Sequence, residues 1–303
     1  MDHAAVRGPQ GGPAGGNGLI VEPALPAAPA VAAASPDGAG MESRCSDAEA
    51  ILSRIPHRLA LAGGWIDQPF VSRHHPSPPG SMVVVALEPG GWFMDRCGMA
   101  VSTRRIATRI WKGVLPDRPR EELVRELYEA ENAHKAEPSG SQDMIGLIYP
   151  GISRLDYDAA VAGGRFPAHI ESNCDPQVAR WVGRTLHLVP INQRPAGYNP
   201  LGIRNLDTRW IEQLGQSGRE CYEAIVRQDV HRLGAAMNHC MRCWEAILPH
   251  TVEHPTISID LKAILAWFQS LYPGAMYSGC GGGYMIVASE RPVPGSLRIR
   301  VRC

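Results

Sequence analysis

Apolar runs that read as strands and segments of helical periodicity alternate irregularly along this chain, and no other feature constrains its fold more. A regular βα repeat would call for a doubly wound parallel sheet; its absence argues for α+β layers. The strand candidates are residues 59–62, Met82-Val83-Val84-Val85-Ala86-Leu87 with its β-branched run, residues 184–191 ("RTLHLVPI"), the segment after the glycine-rich "SGCGGG", and the terminal "SLRIRVRC" with alternating polarity. Helices are expected after Gly98, with apolar positions 106, 110 and 114 at helical spacing, and in "PREELVRELYEAENAHK", where Leu123, Leu127 and Ala130 mark one face. Pro138 and Gly140 signal the end of that helix, so Asp143 is expected in a loop or at the cap of the next element. Further helices are expected near 208–228, 230–248 and 258–271.

With 303 residues, 44% of them hydrophobic and 20% charged, the chain can build a sizeable core and two domains. Thirty basic residues balance thirty acidic ones, which leaves no net electrostatic case for nucleic acid or an anionic membrane as partner. No stretch approaches the roughly twenty apolar residues of a membrane helix. Eight scattered cysteines lack the spacing of a disulfide scaffold and suggest a reducing compartment, so a cytoplasmic location is expected. Residues 1–40 are dominated by Gly, Pro and Ala, a composition too poor in buriable surface to offset ordering entropy, and are expected to be disordered. Patterned sequence begins at Met41, the expected natural start.

Polar residues cluster just past predicted element ends. In "IPHRLALAGGWIDQPF", an apolar run stops at Gly63-Gly64, and Arg58, Trp65 and Asp67 surround that turn. Two glycine turns, at Gly98 and at 279–283, are candidates for an anion site, because glycine admits close backbone approach and a helix N-terminus adds its dipole. "NHCMRCW" offers His239, Cys240 and Cys243, but without a second ligand pair they read as packed thiols on a helix; His74 and His75 read as solvated loop residues.

The order and spacing of these stretches resemble the GHMP kinases over roughly residues 50–290. "IPHRLALAGGWIDQPF" is similar to the first motif of fucokinase-like and heptose-kinase-like members. "EAENAHKAEPSGSQDM" is similar to the "A-E-N … G-x-x-D-Q" segment of galactokinases, with twelve residues from Glu131 to Asp143, and "SGCGGG" is similar to "S-G-A-G-G-G" with cysteine for alanine. The second motif, "G-L-G-S-S-S/A", corresponds to Gly98-Met99-Ala100-Val101-Ser102-Thr103. There alanine replaces a glycine and valine a serine, residues that favour ordinary φ angles and add bulk. The interval between the first two motifs is only about thirty residues, which implies a shortened N-terminal domain.

The resemblance implies a two-domain α+β fold, with an N-terminal domain over 41–165 and a ferredoxin-like C-terminal domain over 166–303. It implies ATP- and Mg²⁺-dependent phosphorylation of a hydroxyl on a small, sugar-like substrate. Asp143 would orient or deprotonate that hydroxyl and Arg58 would stabilise the transferring phosphoryl. Glu131 and Ser102 would hold Mg²⁺. Gly98, Ala100, Ser102, Thr103, Gly279, Gly281, Gly282 and Gly283 would hold the nucleotide phosphates, while Gly64, Trp65, Asp67 and Gln142 would shape the substrate pocket. Two alternatives stand beside this reading: a protein of the same fold that binds a sugar or sugar phosphate without phosphoryl transfer, and a non-kinase enzyme on the same scaffold.

Overall fold

The computed structural model describes residues 53–91 and 93–303; the arm 1–40 and the start of patterned sequence at Met41 lie outside them. The first half contains His57–Ala60 (β1), the single-turn Pro69–Ser72 (α1), Gly80–Leu87 (β2), Val101–Ile110 (α2), Arg120–Asn132 (α3), Gln142–Ile148 (α4), Ile152–Tyr157 (β3) and His169–Asn173 (β4). The second contains Pro176–Thr185 (α5), Leu186–Pro190 (β5), Thr208–Val226 (α6), Val230–Ile247 (α7), Leu261–Leu271 (α8), Gly274–Gly279 (β6), Gly282–Ala288 (β7) and Leu297–Arg298 (β8).

The strands form two antiparallel four-stranded sheets, ordered β1-β2-β3-β4 and β6-β7-β5-β8. Every residue of β2, "GSMVVVAL", is buried, as its unbroken apolar run requires of a strand covered on both faces. Numbered within itself, the second sheet reads 2-3-1-4, the order of a ferredoxin-like sheet. The chain is thus the expected α+β type. The expected division at 165/166 falls between β3 and β4 of one sheet.

Two long helices knit the sheets together. The buried face of α6, including Ile211, Leu214, Cys221 and Ile225, lies on β2 and on α7, while α7, with Leu233 and Met237 among its buried residues, packs on α6 and β6. Burying one such aliphatic side chain contributes about 1.5–3 kcal/mol. Asp207 and Asp229 cap their N-termini, each accepting from two backbone N–H groups, and so fix where the helices start.

Four expectations shift. The strand expected over 59–62 is β1, His57–Ala60; Leu61 and Ala62 still bond to Val83 but lead into the turn at Gly63. The segment 184–191 starts inside a helix: Asp175 and Pro176 open α5, whose buried Val178, Trp181 and Val182 follow the helical period to Thr185, and β5 begins only at Leu186. Val114 does not continue α2, which stops at Ile110, and it is 54% exposed. The terminal segment serves both sheets: Leu297 and Arg298 pair with β5, then Val301 bridges Leu87 of β2. No helix of the described residues is long and apolar enough to cross a membrane.

Candidate active site

Arg58 is the centre of the site. It projects from β1 and is only 5% exposed, with its aliphatic stem lying on Gly146 of α4; a Cβ there would stand 2.1 Å from Arg58 Cγ. The guanidinium forms an ion pair with Asp143 Oδ1 and donates to the carbonyl oxygen of Gly98 at 3.2 Å. Thr103 Oγ1 donates to Asp143 Oδ2 at 3.3 Å, so both oxygens of the carboxylate are oriented from below. Burial pulls the Arg58 pKa down to about 10, against the opposing charges of Asp67 and Glu131; the group stays cationic at neutral pH. Asp143 lies inside the first turn of α4, whose N-cap is Ser141, and not in the loop or at the cap that its sequence context suggested; a carboxylate there is favoured by the helix dipole.

Asp67 is completely buried. Gln142 Nε2 donates to its Oδ1 at 3.2 Å and Gln68 Nε2 to its Oδ2 at 3.3 Å. Gly140 leaves room for it, since a Cβ at that position would lie 1.8 Å from Oδ2. Burial raises the Asp67 pKa to about 6, although the Arg58 charge and the amide donors act the other way. Beside it, Trp65 holds a φ of +84°, a conformation bulky residues avoid, and presents its half-buried ring to the same cavity as Asp67. Gly64 sits against the Trp244 indole, whose Nε1 donates to the Gly64 carbonyl at 3.0 Å.

The two glycine turns meet. Gly98, at φ +81°, packs backbone to backbone against Gly279, and Ser278 Oγ clamps them by donating to the Cys97 carbonyl at 2.6 Å. Ala100 takes a left-handed φ of +54° and ψ of +29°, correcting the expectation of ordinary angles there; Val101 then opens α2 in helical conformation. The turn therefore keeps a glycine-like path despite the substitution. Ser102 reaches the cavity wall. Thr103 does not: it is fully buried and serves Asp143. Gly281, in the β6–β7 turn, and Gly282 and Gly283, which open β7, also stay out of the wall and lie against Tyr198, Asn192 and the Cys97 carbonyl.

Glu131 closes the site from the end of α3. Lys135 Nζ donates to its Oε1 at 3.0 Å, while Oε2 is buried and has no partner. An unpartnered buried carboxylate oxygen and the Ser102 residue that lines the same cavity suit a hard divalent ion completed by phosphate and water oxygens. No group of three or more His, Cys, Asp or Glu side chains suited to a metal occurs among the described residues. Cys240 and Cys243 are packed thiols, and Cys240 Sγ accepts from the Gly63 N–H at 3.3 Å.

Arg58, Gly98, Glu131, Asp143, Gly279 and Asp67 thus line one cavity of about 580 Å³, brought together from β1, α3, α4, β6 and the turns at Asp67 and Gly98. Sequence reasoning missed Lys135, Trp244, Arg96 and Arg194, which line it too. Lys135 carried a signal, standing four residues after Glu131 on a helix. Arg194 carried little beyond its place in a Pro- and Gly-containing loop after β5.

No family model and no curated protein matches the sequence. Solved structures do match. The chain is similar to a mevalonate kinase at 11% identity, with a TM-score of 0.51 over 78% of this chain and 90% of that one. It is similar to the Methanococcus jannaschii mevalonate kinase at 11% identity, with a TM-score of 0.50 over 78% and 89%. The L. major mevalonate kinase in complex with R-mevalonate gives 13% identity and a TM-score of 0.50 over 82% and 95%. These are GHMP kinases, and the fold of this chain is the GHMP-kinase fold.

Proposed function

We propose that this protein is a small-molecule kinase that transfers the terminal phosphoryl group of ATP to a hydroxyl of a sugar-like substrate. The observation that carries the reading is the junction of Arg58, Asp143 and the Gly98 turn: a buried cation, an oriented carboxylate and a glycine turn at a helix start, all on one cavity wall. Transfer forms a bond from the acceptor oxygen to the γ-phosphorus and breaks the bond to the β,γ-bridging oxygen, releasing ADP. The hydroxyl proton passes to Asp143, which orients the acceptor. Arg58, already desolvated and held by Asp143 and the Gly98 carbonyl, offsets the charge on the phosphoryl oxygens.

Glu131 and Ser102 would hold Mg²⁺, which when bound neutralises phosphate charge. Asp67 and Gln142 suit hydrogen bonding to substrate hydroxyls, and Gln142 Oε1, buried without a partner, is free to accept one. The Trp65 ring offers a stacking face for a sugar.

The test is a screen for ADP release with free and phosphorylated sugars, run on the wild type and Asp143→Asn. The reading expects one acceptor class to stimulate release, with turnover reduced about 10²–10⁴-fold in the variant. Equal turnover in the two proteins would remove Asp143 from the reaction.

A further inference from the structure

Two arginines at the rim of the cavity hold each other, with no acidic partner among the described residues. Arg194, in the loop after β5, donates through Nε to the Arg96 carbonyl at 2.7 Å and through its backbone N–H to the same oxygen at 3.3 Å. Arg96, two residues before Gly98, returns the contact through its guanidinium to the Pro195 carbonyl. Arg194 also donates from a terminal nitrogen to Cys280 Sγ at 3.3 Å, which ties it to the second glycine turn. Neither guanidinium has a carboxylate within 4.0 Å among the described residues, although the adjacent Asp95 is paired with Arg105 at 2.6 Å.

Two positive charges pinned by neutral acceptors are oriented but not neutralised. Placing them in one cavity costs repulsion that an anion would relieve. Their location narrows the anion's identity. Arg96 adjoins the Gly98 turn and Arg194 the Ser278–Cys280 turn, so the pair straddles the seam where the two glycine turns meet. The charge of Arg194 is also felt by the buried Arg58.

We propose that Arg96 and Arg194 form a two-arginine clamp on the polyphosphate of the nucleotide, adding to the charge that Arg58 brings to the same cavity. The clamp rests on the kinase reading for the identity of its ligand but not for its chemistry, which is that of a linear polyphosphate. Each guanidinium has donors left over for a phosphate oxygen after its loop contacts are made.

Isothermal titration of the full chain with ATP and with inorganic tripolyphosphate tests this, using wild type, Arg96→Gln, Arg194→Gln and Arg194→Lys. Each glutamine variant is expected to raise both dissociation constants roughly tenfold or more, with partial recovery in Arg194→Lys. Arg96→Gln, which removes a single loop contact, keeps the test open where Arg194→Gln fails to fold. Binding of ATP and tripolyphosphate by both glutamine variants within about twofold of wild type would overturn the clamp and leave the kinase reading standing. Wild type binding tripolyphosphate with arginine dependence but not ATP would support the clamp and overturn the nucleotide reading. Binding of neither ligand would overturn both.

Discussion

Gly98 and Gly279, 181 positions apart in the sequence, meet backbone against backbone. A Cβ on Gly98 would lie 2.6 Å from the Cα and N of Gly279 and from the Ser278 carbonyl, and one on Gly279 would lie 2.7 Å from the Gly98 Cα. The contact joins the two glycine turns into one surface, and no residue with a side chain fits at either position without moving backbone.

Alanine at these two positions should therefore destabilise unequally. Gly279→Ala meets one backbone atom closely and should cost about 1–3 kcal/mol. Gly98→Ala meets three and must also adopt φ +81°, which adds roughly 1–2 kcal/mol. Thermal unfolding of both variants checks the order: the melting temperature should fall further for Gly98→Ala. Two variants as stable as wild type would show that the turns do not pack as described.

Gly146 supports Arg58 from beneath, and its replacement separates catalysis from folding. Gly146→Ala improves helix propensity by about 1 kcal/mol, yet its methyl would occupy the place of Arg58 Cγ and push the guanidinium off Asp143 and the Gly98 carbonyl. A displacement of that kind can cost about 10²-fold in turnover. The expectation is a folded protein with ADP release lowered by that order; wild-type turnover would mean that the position of Arg58 is not critical.

Burial of Asp67 gives stability a pH dependence. Its pKa is raised from 3.8 to about 6, so the folded chain holds that proton more tightly than the unfolded chain does. The associated stability is fully present below pH 4 and is lost as pH rises through 6. Denaturant unfolding of wild type and Asp67→Asn between pH 4 and 7 should show wild type losing stability relative to the variant across that window. Parallel curves would place Asp67 in a water-like environment.

Much of this site was legible because it is written in local strings. Residues 55–70, the Glu131–Asp143 interval and "SGCGGG" each carry their residue types at fixed spacing, and the fold brings Arg58, Glu131, Asp143 and Gly279 to one cavity. The long helices α6 and α7 were expected near 208–228 and 230–248 and run over Thr208–Val226 and Val230–Ile247; their aspartate caps emerge only in the structure. What escaped depended on tertiary contact. The left-handed Ala100 is imposed by its position between Gly98 and the start of α2, against the residue's own preference. Thr103 looked like a phosphate contact, but burial turns it toward Asp143. Strands β3, β4 and β6 went unread because β3 carries Ser153, Arg154 and Asp156, β4 has Ile170 as its single apolar residue, and β6 opens on a glycine after Pro273. Arg96 and Arg194 meet only because a loop after β5 folds back over the Gly98 turn.

A phosphoryl-transfer site assembled around Arg58, as proposed, must hold a nucleotide, and calorimetric titration with ATP, with and without Mg²⁺, tests this before any acceptor is known. Wild type should bind ATP with a clear dependence on Mg²⁺, and Glu131→Gln should lose most of that dependence while retaining metal-free binding. Absence of ATP binding at millimolar concentration, with Mg²⁺ present, would contradict the account.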